Sequence, residues 1–466
     1  MAGSQEGQVR STRIALISGA VGVLLVAAGG TAMAATHTQS TGASGPSRPT
    51  AKAADSDWTT YHRDNSRAGV ATGLAPVGTL GKAWTAKLDG AVYGQPLVVG
   101  QHVYAATEND TVYELDIATG KVLWQTHVGT PVPLSKLPCG DIDPLGITST
   151  MVYDPATNLL FALAEVTGGT HNLVSLDATT GTLKQTRAAE PPKGTKLAHQ
   201  QRAALNLVNN KVYIAYGGLL GDCSNYIGSV VALPTTGTGA KISFAVPTSR
   251  EGGIWAPGGG AVVGGKLMYA VGNGASTSGK YDGSDSVIAL DDNLKQVDLF
   301  APSTWADDNA KDLDLGSMTP IQVGSFVYTD GKRGTGYTAR ADHLGNIGGQ
   351  VAQANVCKAF GAPAVMGNTA YLPCTDGTRQ VTIDSTGKIT VGWHLSVAAR
   401  GSPTIGGGAV WVVDYTGGTL YAVDPGTGAI KQQISIGVAP HFVSPTLSQG
   451  KAFVGTNAGV VAVSGA

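Results

Sequence analysis

The side chains best suited to chemistry lie in the middle of the chain: Trp255 in GGIWAPGG, Asn273 between two glycines, Asp312 and Asp314, and the adjacent cations Lys332 and Arg333. Carboxylates beside cations are the raw material of proton transfer and cation binding. Each residue also has an architectural use. Asp312 and Asp314, two positions apart, share one face of an extended strand and can bond neighbouring loops. Lys332 and Arg333 in a turn read as a solvated charge pair. Asn273 reads as a turn residue, and Trp255 as an aromatic that lines a channel or packs between sheets. His199, His343 and His441 are too dispersed to form a ligand set. No nucleophile elbow, H-E-x-x-H helix or phosphate loop occurs, and a net charge of −1 without a run of like charge leaves no footprint for nucleic acid.

The elements that must position these residues are copies of one unit. Val103 to Trp124, VYAATENDTVYELDIATGKVLW, holds two alternating strands around Asn109-Asp110, a tight D-x-x-T-G turn, and a third strand ending in Trp124. An inner strand, Gln95 to Val99, makes it four-stranded. Such a unit cannot bury its own face, so it needs neighbours. Further copies start at Gly146, Ala203, Trp255, Ser317, Ala362 and Ser402, and the last, from Ser444, stops after three strands at Val463. Gly81 to Leu88, GKAWTAKL, is a fourth strand with no copy of its own. Pairing it with the incomplete copy closes a ring and removes the free edge. The expected fold is therefore all-β: an eight-bladed β-propeller of four-stranded antiparallel blades over 57–466, its last blade closed by an N-terminal strand.

Upstream, Arg10 and Arg13 precede an apolar run from Ile14 to Ala28, with Ala32-Met33-Ala34 as a small-x-small cleavage site. Residues 1–35 thus read as a signal peptide or, uncleaved, as a transmembrane anchor, and 36–56 as a flexible linker. Either way the propeller is exported and touches a membrane only through that segment. Four cysteines in an exported chain suit two disulfides. The separation of Cys357 and Cys374 fits neighbouring strand and loop positions, leaving Cys139 and Cys223 as the other pair.

The pattern [VL]-Y-A-[LV]-D-x-x-T-G-x-x-x-W, seen at Val112 to Trp124 and Leu420 to Gly428, resembles the pyrroloquinoline-quinone (PQQ) type repeat. That repeat builds the quinoprotein alcohol dehydrogenases and the cofactor-free outer-membrane assembly lipoprotein BamB. The resemblance implies a PQQ floor at Trp255, a cofactor-contacting lysine at Lys332, calcium held in part by Asn273 with Asp314, and Asp314 as the catalytic base. Two departures stand against that set. The family's vicinal disulfide is missing, since Cys139 is followed by Gly140, and YGGLLGD (Tyr216 to Asp222) supplies only Asp222 where a calcium-binding glutamate is expected. The leading expectation is thus a non-catalytic, monomeric binding or scaffold propeller of the cell envelope, without a cofactor, whose partner is an envelope protein or polymer. The alternative is a PQQ- and calcium-dependent dehydrogenase of alcohols, sugars or polymeric alcohols. A glycan-binding propeller is the third reading.

Overall fold

The computed structural model describes residues 56–466, so the expected signal or anchor and all of the linker but Ser56 lie outside the described part. Eight sheets form, one per copy, each running from an inner to an outer strand. Blade one consists of Leu97–Val99, His102–Ala106, Thr111–Asp116 and Val122–His127. Its inner strand is wholly buried, while its outer strand alternates between exposed and half-buried residues. Blade eight consists of Thr446–Ser448, Lys451–Thr456 and Gly459–Ser464, and Gly81–Lys87 pairs antiparallel with the last of these, Lys87 opposite Gly459. The ring is closed as the orphan strand predicts.

The repeated turn explains itself at the atomic level. Asp116 Oδ1 accepts from the Thr119 N–H at 2.8 Å and the Thr119 hydroxyl at 2.7 Å, which fixes the bend locally. Gly120 then turns with φ +70°, and a Cβ there would lie 2.5 Å from the Trp84 ring of the preceding blade. The same contact joins Trp124 to Gly181 and Trp393 to Gly428. The glycine and tryptophan of the motif are therefore a seam between adjacent blades, with hydrophobic clusters filling the space behind it.

Three features go beyond the repeat. Blade four gains Asn346–Ile347, parallel to Gln296–Ala301, and blade three gains His199–Gln200. The only α-helix among the described residues, Trp305–Lys311, precedes blade five, and among these residues no helix is long and apolar enough to cross a membrane. Residues 57–71 run along the inner strands. Trp58 donates to Val98 O, Ala71 to Ile405 O, and the fully buried Arg67 guanidinium to the carbonyls of Tyr61, Leu205 and Gly260. A buried cation satisfied by carbonyls ties this strap to blades three and four.

Candidate functional site

In antiparallel blades, the loops entering the inner strands and the loops joining the second and third strands emerge at the same end. At that end lies a cavity of about 240 Å³, and Trp255, Asn273, Asp314 and Lys332 all line it. Trp255 enters blade four, Asn273 follows that blade's second strand, Asp314 enters blade five, and Lys332 follows that blade's second strand. The Lys332 N–H donates to Asp314 O at 2.9 Å, which draws the two blade-five loops together.

The side chains form one network. Trp255 Nε1 donates to Asp314 Oδ2 at 3.2 Å, and Lys332 Nζ lies 3.6 Å from the same oxygen and 2.7 Å from Asp312 Oδ1. Asn273 Nδ2 also donates to Asp312 Oδ1, at 2.6 Å. Gly272 is required here, because a Cβ would sit 2.4 Å from Asp314 Oδ1. Burial raises the Asp314 carboxyl above the usual range, with Lys332 opposing the rise. Burial alone would lower Lys332, but Asp314 and Asp312 outweigh it and raise the ammonium, so the lysine stays cationic.

Two expectations from the sequence need correction. Asp312 and Asp314 do not share a strand face. Asp312 caps the helix Trp305–Lys311 in the left-handed conformation (φ 53°), and Asp314 caps the short turn Leu315–Ser317, accepting from the Gly316 N–H. Nor are Lys332 and Arg333 a solvated pair. Lys332 joins Asp312 and Asp314, while Arg333 pairs with Asp307 and Asp308 of the helix. A seven-residue helix is too short to show a period, and tertiary ion pairs hold it.

Sequence reasoning missed the aromatic wall. Phe360 and Phe442 stand parallel within 3° with centroids 6.2 Å apart, and Trp255 lies 6.2 and 6.0 Å from them. Phe442 holds a left-handed backbone, φ 64°, unusual for a bulky residue and of the kind found where surroundings impose it. Arg202 fixes it from across the channel, donating to His441 O at 2.9 Å and stacking over both Tyr93 and Phe442. A signal existed. Tyr93, Phe360 and Phe442 each stand three residues before a proline that opens an inner strand, and Trp255 two before. Glu251 was also missed; it lines the cavity beside Asp222, and burial raises its carboxyl.

The aromatic wall with Lys332 and Arg202 suits a planar, electron-poor ring carrying acceptor oxygens. A calcium ion fits less well. Asn273 Oδ1 is buried without a partner, yet Asp314 already accepts from Gly316 and Trp255, and among the described residues no three His, Cys, Asp or Glu side chains come together as a cation site. A hard dication takes six or more oxygens, so as these side chains stand Asn273 and Asp314 do not make its cage.

Both disulfides form as paired from the sequence, Cys139–Cys223 and Cys357–Cys374, as fits an oxidising compartment. The first clamps two loops of the cavity rim, those of Asp141 and Asp222. It spans 84 residues of chain, for which loop-entropy accounting gives about 4.5 kcal/mol. The Cys139→Ser, Cys223→Ser double variant is expected to lose most of that in urea unfolding. A loss below about 1 kcal/mol would show that the rim holds without its clamp.

A family model described as outer membrane protein assembly factor BamB matches residues 75–291. A polyvinylalcohol dehydrogenase of Sphingopyxis sp. (strain 113P3) is 26% identical over 285 residues, covering 54% of this chain and 40% of that protein. The matched region thus spans well under two thirds of that relative. Among solved structures, quinohemoprotein alcohol dehydrogenase from Comamonas testosteroni superposes with a TM-score of 0.62 at 17% identity, over 88% of this chain and 80% of that one. BamB from Moraxella catarrhalis gives 0.57 at 16% identity, over 83% and 99%. Repeat, ring and matches agree: the chain is a β-propeller of PQQ-type repeats, similar over residues 75–291 to the BamB family model and in fold to quinohemoprotein alcohol dehydrogenase and BamB.

Proposed function

We propose that the cavity is a quinone-dependent oxidation site for the hydroxyl groups of an alcohol or polymeric alcohol, in an exported and monomeric propeller. One observation carries this reading: Trp255, Asn273, Asp314 and Lys332, spread over 78 positions of sequence (332 minus 255, both ends included), line one cavity as a bonded network. A bound quinone would supply the two-electron acceptor. The chain's own part is to stack that ring against its aromatic wall, keep a cation near its oxygens through Lys332, and accept the substrate's hydroxyl proton on Asp314. Burial and the Trp255 N–H suit Asp314 to that task, raising its basicity while fixing its orientation. The homology to a polyvinylalcohol dehydrogenase supports the substrate class.

The test is titration of the purified chain with PQQ, with and without calcium, followed by dye-linked oxidation of secondary alcohols. The expected Kd lies below about 100 μM, roughly −5.5 kcal/mol. Trp255→Ala should weaken binding, and Asp314→Asn should lower turnover about 10²- to 10⁴-fold with quinone affinity retained. No binding at that concentration under either condition would sink the reading.

A second reading, a non-catalytic binder of an envelope protein or polymer, also has an observation in its favour. Asp141, Asp222, Glu251 and Asp314 outnumber the cations Arg202 and Lys332 around the cavity, which favours a neutral ligand over an anionic cofactor. Failure of the quinone titration together with binding of an envelope polymer would establish it.

A further inference from the structure

Beyond the Phe360 and Phe442 pair lies a second chamber of about 220 Å³, which shares those two rings with the first. Its other walls include Arg400, Tyr415, Pro373 and Thr375. The Arg400 guanidinium lies 5.1 Å over the Tyr415 ring and donates to Thr416 Oγ1 at 3.1 Å. His441 stands between the chambers, its ring 5.3 Å from Tyr415 and 5.9 Å from Phe442. The Cys357–Cys374 bridge holds the chamber's floor, because Cys374 lines it.

We infer that the two chambers form one bipartite cleft, and that the second takes the remote stretch of a linear, neutral polyhydroxylated chain whose near end lies in the first. Three features lead there. The chambers abut through aromatic rings, whose faces suit the C–H face of a hydroxylated chain. Arg400 is held flat by Tyr415 with N–H donors left over for hydroxyls, and among the described residues it is the only ionic group lining the second chamber. The acid excess of the first chamber disfavours a polyanion. A short alcohol would fill one chamber and leave Arg400 and Tyr415 untouched. This deepens the reading of the first cavity as a hydroxyl-binding site, but it concerns binding alone and can be tested without turnover.

The probes are two chains of the same chemistry from different sources, a poly(vinyl alcohol) oligomer and cellohexaose, with pentane-2,4-diol and cellobiose as their short counterparts. Isothermal titration of the purified chain is expected to show at least one long probe binding tenfold or more tighter than its short counterpart. Which long probe gains identifies the source. Arg400→Ala and Tyr415→Ala should each erase that advantage and leave the short probe's affinity unchanged. Thr375→Trp, at an exposed wall position, should block the second chamber without disturbing the core and give the same result. Equal affinity of long and short probes, an advantage that survives all three variants, or no binding of either long probe overturns the inference. Length-dependent binding with no oxidation would instead remove the dehydrogenase reading and leave the bipartite cleft standing.

Discussion

Trp84→Ala is expected to cost about 3–5 kcal/mol in urea unfolding and to turn a monodisperse protein into one that self-associates. Trp84 lies on the strand that closes the ring and is 8% exposed. Its Nε1 donates to Ile117 O of blade one at 3.1 Å, its ring covers Gly120, and Phe453 of blade eight packs 5.8 Å away. One side chain thus joins the closing strand to the blade it belongs to and to the next blade around the ring. Removing it leaves a cavity beside the one strand pair within a blade, Gly81–Lys87 with Gly459–Ser464, that chain continuity does not back up. If Gly81–Lys87 detaches, Gly459–Ser464 becomes an open, largely apolar edge strand able to pair with another chain. Trp393→Ala is the internal control, since Trp393 makes the same seam with Gly428 and donates to Pro425 O at 2.9 Å, but its blade is continuous. Equal losses in the two variants, with no association in either, would mean that closure has no special weight.

Asp110→Asn is expected to remove much of the loss of stability on going from pH 5 to pH 9. Glu108 and Asp110 lie on the hairpin between the second and third strands of blade one, 2% and 0% exposed. Both Asp110 oxygens and Glu108 Oε1 are buried without hydrogen-bond partners, and burial pushes each carboxyl up to about 8. Their pKa values are higher folded than unfolded, so between roughly pH 4 and pH 8 the folded state holds more protons. Stability therefore falls as pH rises through that window and is fully present only below it. In Asp110→Asn one of these protons is no longer lost, and Glu108 can ionise against the Gly146 N–H at 2.8 Å and the Thr148 hydroxyl at 3.1 Å. Asn also tolerates the left-handed backbone at this position, φ 55°. The variant should exceed the wild type by about 2 kcal/mol or more at pH 9. Parallel stability–pH curves for the two proteins would refute the account.

The ring was legible because each of its instructions is local. The turn Asp116-Ile-Ala-Thr-Gly120 is built from hydrogen bonds between residues no more than four apart, and the tryptophan four positions later completes the seam. Recurrences of that turn, eight copies of the strand pattern and one unpaired strand leave little freedom in the fold. The helix Trp305–Lys311 escaped notice because its support is remote: Arg333 binds it from more than twenty positions away.

The candidate site divides the same way. From the sequence alone came the ring, its closure, both disulfides and four residues of one cavity. Local turn chemistry and strand alternation carry those, or a motif names them. The tertiary structure alone decided that Asp314 is a buried cap held by Trp255 and Lys332, that Glu251 joins them, and that Arg202 reaches 239 positions along the chain to His441, fixing Phe442 against Phe360. A propeller brings the ends of its blades together whatever their distance in sequence, so the contents of the cavity depend on closure of the ring rather than on any single stretch of it.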